Sequence, residues 1–301
     1  MSYIEVGEGP LRLSAYVMLS DPAFIEVSIL SYYDIVDRIV LSYDVDGLGW
    51  NGRPVAIDEC LTRAKQIDHA SKMVEMAGHF ADRNKSPLEC DTNQRRTAVE
   101  RASEDADWIL QLDSDEVLGS QGTLLDCLNR AVANKADALD YPSRWFFTST
   151  RHGVAERCSR LWRLTASYPG AVAIRSGTLL SLCRQTAGKT FRADFRPTNT
   201  DPWQSRRVPV DMVVPPEDAI FHFSWVRTPA AMQEKRMNSG HAKEDFWGER
   251  LAYWKFVQRH PLYVQATVPF RSRDHRYRLT RISKTPVVDG INVELAGGVA
   301  E

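Results

Sequence analysis

Trp108-Ile109-Leu110-Gln111-Leu112-Asp113-Ser114-Asp115-Glu116 is an almost wholly apolar run that breaks into three carboxylates within four residues. A short apolar run bounded by polar residues predicts a buried strand, and charges at its end are expected at the rim of a sheet rather than inside it. In open α/β folds ligands bind at that rim. Carboxylates one residue apart on one opening suit a hard divalent cation, Mg²⁺ or Mn²⁺, which takes oxygen ligands and leaves room for phosphate and water. The motif therefore predicts a metal-diphosphate site, against the plainer alternative of a solvated acidic turn.

The surrounding chain supplies a sheet for that strand. Leu11–Leu19 reads as a buried strand, Ser20-Asp21-Pro22 as a helix start, and Phe24, Val27, Ile29 and Leu30 as the apolar face of the helix. A second strand over Asp37–Asp44 also ends on an acid. Strand, helix and strand with short links form a βαβ unit, so Asp44 should open onto the same sheet edge as Asp113. The loop Gly47–Pro54 carries Trp50, which either lines a base pocket or sits in a turn. A helix is predicted from about Ile57 to Ile67 and a third strand over Lys72–Ala77, followed by a polar loop with His79, Asp82, Arg83 and Asn84. Asp91 is read as opening a helix with Ala98, Val99, Ala102 and Ala106 on one face. Its first turn, with Asn93, Arg95 and Arg96, would then meet the acidic edge, where cationic forks and backbone N–H groups complement a metal-bound diphosphate.

At 301 residues the chain can bury a full core, and 43% hydrophobic with 26% charged residues is ordinary for a soluble globular protein. The 38 Lys and Arg nearly balance the 39 Asp and Glu, which disfavours nucleic acid or anionic lipid as a partner of the whole surface. The five cysteines show no Cys-x-x-Cys spacing, so a disulfide framework or zinc ribbon is not indicated. With no signal-like start and no apolar run approaching the ~20 residues that span a bilayer, a cytoplasmic location is expected. The basic segment Arg271–Lys284 is the one stretch suited to contact with acidic lipid at the inner face of a membrane, with nucleic acid or with a phosphorylated acceptor, and otherwise reads as a solvated strand or tail.

The opening strand and helix, the second strand ending in Asp44, and the Asn- and Arg-bearing helix running into Asp107-Trp108-Ile109-Leu110-Gln111-Leu112-Asp113-Ser114-Asp115-Glu116 resemble the nucleotide-sugar glycosyltransferases of the GT-A fold, in particular the family-2 group. The resemblance spans roughly Leu11–Trp225, and its specific part is Asp105–Leu118 with the helix before it. It implies an α/β, Rossmann-like GT-A fold with a mixed central sheet flanked by helices: a catalytic domain over residues 1–227 and a helical extension with the basic tail over 228–301. It further implies that Asp113 and Asp115 form a DXD motif contacting ribose and, through Mn²⁺ or Mg²⁺, the diphosphate. Asp44 would contact the nucleotide base, and Asn93 and Arg95 would approach the nucleotide. His222, in Ile220-Phe221-His222-Phe223, becomes a third metal ligand, where an isolated histidine in an apolar strand otherwise reads as core.

The activity so implied is metal-dependent transfer of a sugar, hexosyltransferase-like, from a nucleoside-diphosphate donor, expected to be UDP-linked, to a hydroxyl of a glycan, lipid-linked or protein acceptor. Glu116 is expected to orient its neighbours. Arg144 and Trp145 are acceptor candidates, with Phe146 and Phe147 as core. Arg144–Phe147 and Ser159–Leu164 are expected to pair as antiparallel strands across Thr148–Cys158. Glu156, Asp194, Glu217 and Asp218 are available as a general base, which leaves inversion or retention open. Thr228-Pro229 predicts a helix start, with Lys235, Arg236 and His241 near its end as a lid over the diphosphate or as surface charge. A further helix is expected over about Glu244–His260. The alternatives from other classes are a non-catalytic sugar-nucleotide or glycan-binding protein and a haloacid-dehalogenase-type phosphatase, which would want its Asp-x-Asp nearer the N-terminus.

Overall fold

The computed structural model describes residues 11–238 and 246–281. Four parallel strands, β1 (Leu13–Met18), β2 (Arg38–Asp44), β3 (Met73–Gly78) and β4 (Trp108–Gln111), form one half of an eight-stranded sheet, with β3 at its edge. With β6 (Ala138–Asp140), β9 (Ala173–Arg175), β12 (Thr190–Asp194) and β13 (Met212–Val213), its order is β13-β12-β6-β9-β4-β1-β2-β3. Within it β9 runs against both its neighbours, β4 and β6, so the sheet is mixed. The expected α/β class, a large central sheet flanked by helices, is what the chain adopts.

All six residues of β1 are buried because both faces of the sheet are covered. Leu13, Ala15 and Val17 share a core with residues of α1 (Ile25–Leu30), α2 (Ile57–Ile67) and α4 (Gln121–Ala133). Tyr16 and Met18 point the other way, onto Ala98, Val99 and Ala102 of α3 (Pro87–Ala102), whose small side chains let that helix lie close to the sheet.

Two helix starts depart from expectation. α1 begins at Ile25, with no side-chain cap, and Asp21 instead accepts the Ala23 N–H at 3.0 Å with one oxygen. α3 begins at Pro87, a full turn before Asp91. Ser86 accepts the Glu89 N–H at 3.3 Å and the Glu89 carboxylate accepts the Ser86 N–H at 2.8 Å, a reciprocal capping box that fixes the start. Asn93, Arg95 and Arg96 are therefore mid-helix residues, and only their side chains can reach beyond it.

A second sheet, β15-β8-β7-β14-β5, joins β5 (Glu116–Leu118), β7 (Ser143–Thr150), β8 (Gly153–Arg157), β14 (Ile220–His222) and β15 (Tyr277–Thr280). The expected partner of β7 is corrected: β7 forms a tight hairpin with β8, while Ser159–Leu164 is a turn closed by the lone bridge Cys158–Leu164. Gly153, at φ +120°, starts β8 at the turn and lets Thr280, in the neighbouring strand, lie against it, since a Cβ there would stand 2.6 Å from the Thr280 carbonyl. β10 (Leu180–Leu182) and β11 (Gln185–Thr186) form a small separate hairpin.

Past β14 come α5 (Pro229–Asn238), α6 (Phe246–Arg259) and α7 (Pro261–Ala266), before the chain returns as β15 beside β8. Thr228 caps α5 by accepting the Ala231 N–H at 3.2 Å. Between these helices and the second sheet lies an aromatic cluster of Trp145, Phe147, Trp225, Trp247, Trp254 and Tyr277. Trp254 Nε1 donates to the carbonyls of Phe147 and Trp225, at 2.9 and 3.0 Å. Trp145 is thus core rather than an acceptor platform, and Arg144 is clamped on Glu156 at 2.6 and 3.1 Å. Of the basic segment, Tyr277–Thr280 is strand, and residues 282–284 lie outside the described residues. Among the described residues no helix is long and apolar enough to cross a membrane.

Candidate active site

The acidic motif is the junction between the two sheets. β4 ends at Gln111 in the large sheet, β5 starts at Glu116 in the small one, and Leu112–Asp115 is the turn between them. The turn is rigid because its own polar groups close it. The Glu116 N–H donates to the Asp113 carbonyl at 3.0 Å, the Glu116 carboxylate accepts the Asp113 N–H at 3.1 Å, and Ser28 Oγ donates to the Glu116 carbonyl at 2.7 Å. Beneath it, fully buried Gln111 accepts from Tyr16 at 2.9 Å and donates to the Ala171 carbonyl at 3.0 Å. Burial pushes the Tyr16 hydroxyl up to about 12, so it stays a neutral donor.

β14 runs antiparallel to β5 with His222 opposite Glu116, which brings the late histidine to the motif. His222 Nε2 lies 3.5 Å from Asp115 Oδ1, and Nδ1 lies 3.7 Å from Glu116 Oε1, buried and without a hydrogen-bond partner. Burial opposes charge on this ring, but Asp115 and Glu116 outweigh it and raise its pKa above the ordinary value.

Each carboxylate is matched by cations from distant parts of the chain. Asp113 meets Arg95 at 2.9 Å and Arg184 at 3.8 Å, and Arg95 is itself steadied by Asp91 at 2.6 Å, one helical turn away. Asp115 Oδ2 meets Lys235 of α5 at 2.8 Å and Arg227 at 3.3 Å, while Arg227 also holds Asp21 at 2.9 Å. Glu116, with no solvent exposure, is gripped at 2.6 and 2.8 Å by both Nη atoms of Arg184, itself 2% exposed. Burial alone would raise the Asp115 carboxyl, yet Lys235 foremost, then His222 and Arg227, holds it well below the usual carboxylate range. Asp113 is likewise lowered, its burial outweighed by Arg95 and Arg184. Asp21, Asp91, Asp113, Asp115 and Glu116 face Arg95, Arg184, Arg227 and Lys235, and the carboxylate in excess favours the proton on His222.

Among the described residues no group of three or more His, Cys, Asp and Glu side chains is gathered to hold a metal ion by itself. Two donors do fit one. A nitrogen and an oxygen sharing a small divalent ion at bonds of about 2.1 Å stand about 3–3.5 Å apart. His222 Nε2 and Asp115 Oδ1 have that separation, and Oδ1 is the Asp115 oxygen not taken by Lys235 and Arg227. Asp113, with a side chain 31% exposed, presents its carboxylate from the same turn.

Other expected residues are placed elsewhere. Asp44 reaches the same sheet edge, but its carboxylate accepts the backbone N–H groups of Phe80 and Ala81, at 2.7 and 2.9 Å, and those of Asp46 and Leu48, at 3.1 and 3.4 Å. Against its burial, these bonds lower its pKa, and they leave it fastening two loops. Asn93 is exposed on α3 and its carbonyl accepts from Thr97. Trp50 donates to Gln94 at 2.7 Å, tying the glycine-punctuated loop to α3. Of the four base candidates, Glu156 is held by Arg144 and Arg278, Asp194 accepts from Thr200 and the Phe195 N–H, Asp218 accepts from Thr123, and Glu217 is exposed. Lys235 lies on the motif, Arg236 is exposed, and His241 lies outside the described residues.

Arg184, Arg227, Asp91 and Asp21 belong to the site, though in the sequence Asp21 and Asp91 read only as helix starts and Arg184 and Arg227 are given no role. Asp91 and Arg95 have the i,i+4 spacing of a helical ion pair, and Arg227 closes the same apolar stretch as His222, so both carried a signal. Arg184 carried none: it sits at the tip of the β10–β11 hairpin, beside Cys183 at φ +49°. Gly170 lets it in, since a Cβ there would stand 2.6 Å from the Arg184 Cβ.

No protein-family model matches the chain, and no curated protein matches it. Among solved structures the chain is similar to the crystal structure of 4-diphosphocytidyl-2C-methyl-D-erythritol synthase from Anaerococcus prevotii, at 11% identity and a TM-score of 0.34. That likeness covers 55% of this chain and 72% of the other.

Proposed function

We propose that the chain is a glycosyltransferase that uses a nucleoside-diphosphate sugar, UDP-linked, and passes the sugar to a hydroxyl acceptor. One observation carries this reading. The Asp115 carboxylate is divided, with Oδ2 neutralised by Lys235 and Arg227, while Oδ1 faces His222 Nε2 on the edge where parallel strands deliver ligands. A diphosphate is the group such a mixed site suits, because its oxygens accept from guanidinium and ammonium groups and also bind a hard cation.

Asp115 and His222 are the pair that would hold Mn²⁺ or Mg²⁺, and Asp113, on the same turn but engaged by Arg95, is the third residue of the proposed set. When bound, the ion supplies Lewis-acid stabilisation of charge on the departing diphosphate. The protein's own groups do the rest. Lys235, one-quarter exposed on α5, is placed to exchange its contact with Asp115 for a phosphate oxygen. Arg95 and Arg184 are fixed by buried carboxylates, so they hold Asp113 in one position and add positive potential without reorganising. Glu116 positions, through Arg184 and the Asp113 N–H, and does not face the ligand.

The test is release of nucleoside diphosphate from a panel of nucleotide sugars in the presence of Mn²⁺, alongside calorimetric binding of UDP with and without the metal. Metal-dependent UDP binding and diphosphate release with at least one donor are expected, both lost in Asp115→Asn. UDP binding without turnover of any donor would instead mark a non-catalytic binding protein. Absence of both sinks the proposal.

A further inference from the structure

A shallow cleft of about 350 Å³ has Trp162, Arg163, Phe195, Arg196, Pro216 and Arg278 in its lining. Its place in the fold ties it to the motif. β4, β6 and β12 run parallel, so Phe195 and Arg196, which follow β12, leave the large sheet at the same edge as Asp113, which follows β4. β6 and β9 lie between these two strands, and three inter-strand steps amount to about 14 Å.

Two features of the cleft call for a ligand. The first is Trp162, whose φ of +55° is a left-handed conformation that bulky residues seldom adopt. It is nevertheless 39% exposed, so core packing does not explain the strain. The turn that imposes it is closed at both ends, with the Ser159 N–H on the Arg163 carbonyl at 2.8 Å and the Arg163 N–H on Ser159 Oγ at 3.1 Å. The indole Nε1 donates to the Gln265 carbonyl at 2.7 Å, which fixes the ring plane. Strain that fixes an exposed aromatic ring is the kind stored at binding sites. The second feature is charge. Arg278 is committed to Glu156 at 3.2 Å, but Arg163 and Arg196 have no carboxylate partner among the described residues. In a chain of net charge −1, unpaired guanidinium groups beside a fixed aromatic face form a local site for an anion.

We infer that this cleft binds an acidic glycan: Trp162 packs against the apolar face of a sugar ring, and Arg163 and Arg196 bind its carboxylate or phosphate. Its role as the acceptor site rests on the glycosyl-transfer reading above; the binding itself does not. Neutral glycans would gain the stacking surface alone. Arg144 meets the cleft only through Glu156, which it shares with Arg278, and the Arg144 guanidinium and Trp145 ring are committed inside the fold.

Calorimetric titration with a short oligogalacturonide and with a phosphorylated oligomannoside, each against its neutral counterpart, tests this on the full chain. The acidic ligands are expected to bind with salt-sensitive affinity and the neutral ones at least about tenfold more weakly. The stronger of the two acidic arms tells carboxylate from phosphate. Arg163→Ser with Arg196→Ser, at surface positions, should weaken acidic binding at least about tenfold and abolish its salt dependence. Trp162→Gly removes the platform while relieving its backbone, so binding should fall about tenfold with the melting temperature unchanged or raised. Metal-dependent UDP binding should be the same in all variants, so a failed donor site and a failed glycan site give different results. No binding of either acidic ligand, equal binding of the neutral ones, or unchanged affinity in the arginine variants would overturn the inference.

Discussion

Replacing Arg184 by methionine isolates the buried ion pair under the acidic motif. Glu116 has no exposure and Arg184 has 2%, and the two meet through contacts of 2.6 and 2.8 Å. Without the guanidinium the carboxylate keeps only the Asp113 N–H at 3.1 Å and a histidine nitrogen at 3.7 Å. Stranding one partner of a buried pair costs about 3–5 kcal/mol. At about 2 °C per kcal/mol for a chain of this size, the melting temperature should fall by about 6–10 °C. Glu116→Leu should cost a similar amount by stranding Arg184. The double variant Glu116→Leu/Arg184→Met removes both charges at once, and buried pairs exchanged for apolar groups are often close to neutral. Urea unfolding of the four proteins should therefore show the double variant more stable than either single one, with a coupling of at least about 2 kcal/mol. Additive losses, or a loss below about 1 kcal/mol for Arg184→Met, would refute the claim that the pair is held by mutual need.

Three further outcomes follow from the site and its supports. Lys235→Ala should tighten Mn²⁺ binding to the free protein, since it unburdens Asp115, and weaken UDP binding at fixed Mn²⁺ by about tenfold; unchanged metal affinity by calorimetry would show that Lys235 and the ion do not compete. Asp44→Asn should lower stability by about 1–3 kcal/mol, because an amide cannot accept four backbone N–H groups in the same arrangement, and a drop in UDP affinity with no change in melting temperature would restore Asp44 as a nucleotide contact. Asp44, Asp113 and Asp115 all have depressed pKa values. The stability they add is complete above their unfolded value of about 3.9 and is lost as the pH falls through their folded values, so a urea midpoint that stays flat from about pH 6 to pH 3 would contradict these shifts.

The strands were legible where burial on both faces leaves little choice of residue. The apolar run before Asp113, the run ending at Asp44 and the helix over Ile57–Ile67 all lie where the periodicity puts them. The start of α3 was also present in the sequence, as Ser86-Pro87-Leu88-Glu89, but the acidic and basic residues from Asp91 onward drew attention a turn too late. Trp145 and Arg144 misled because an aromatic beside an arginine looks the same in sequence whether it faces solvent or a core. Only the arrival of Trp225, Trp247 and Tyr277 from later segments decides between them. Glu116 shows the same limit for charge. A carboxylate at a strand end is expected at the rim, and its burial depends on a guanidinium from a hairpin 68 residues away. His222 came within view through the resemblance, but its register opposite Glu116 is a property of the β5–β14 ladder.

That ladder has a consequence for how the chain tolerates change. The Gly119 N–H donates to the Ala219 carbonyl at 3.0 Å, and a Cβ on Gly119 would stand 2.5 Å from the Glu217 carbonyl, so the chain is pinched shut just beyond the motif. Everything from α4 to β13 leaves and returns through this neck. Loop-closure entropy grows only logarithmically, and doubling a closed length costs about 0.6 kcal/mol. Extra residues spliced into the exposed tip at Arg151–His152 would therefore be carried by a stretch already tied off at its base. That stretch is free to acquire new length while Asp115 and His222 stay in register.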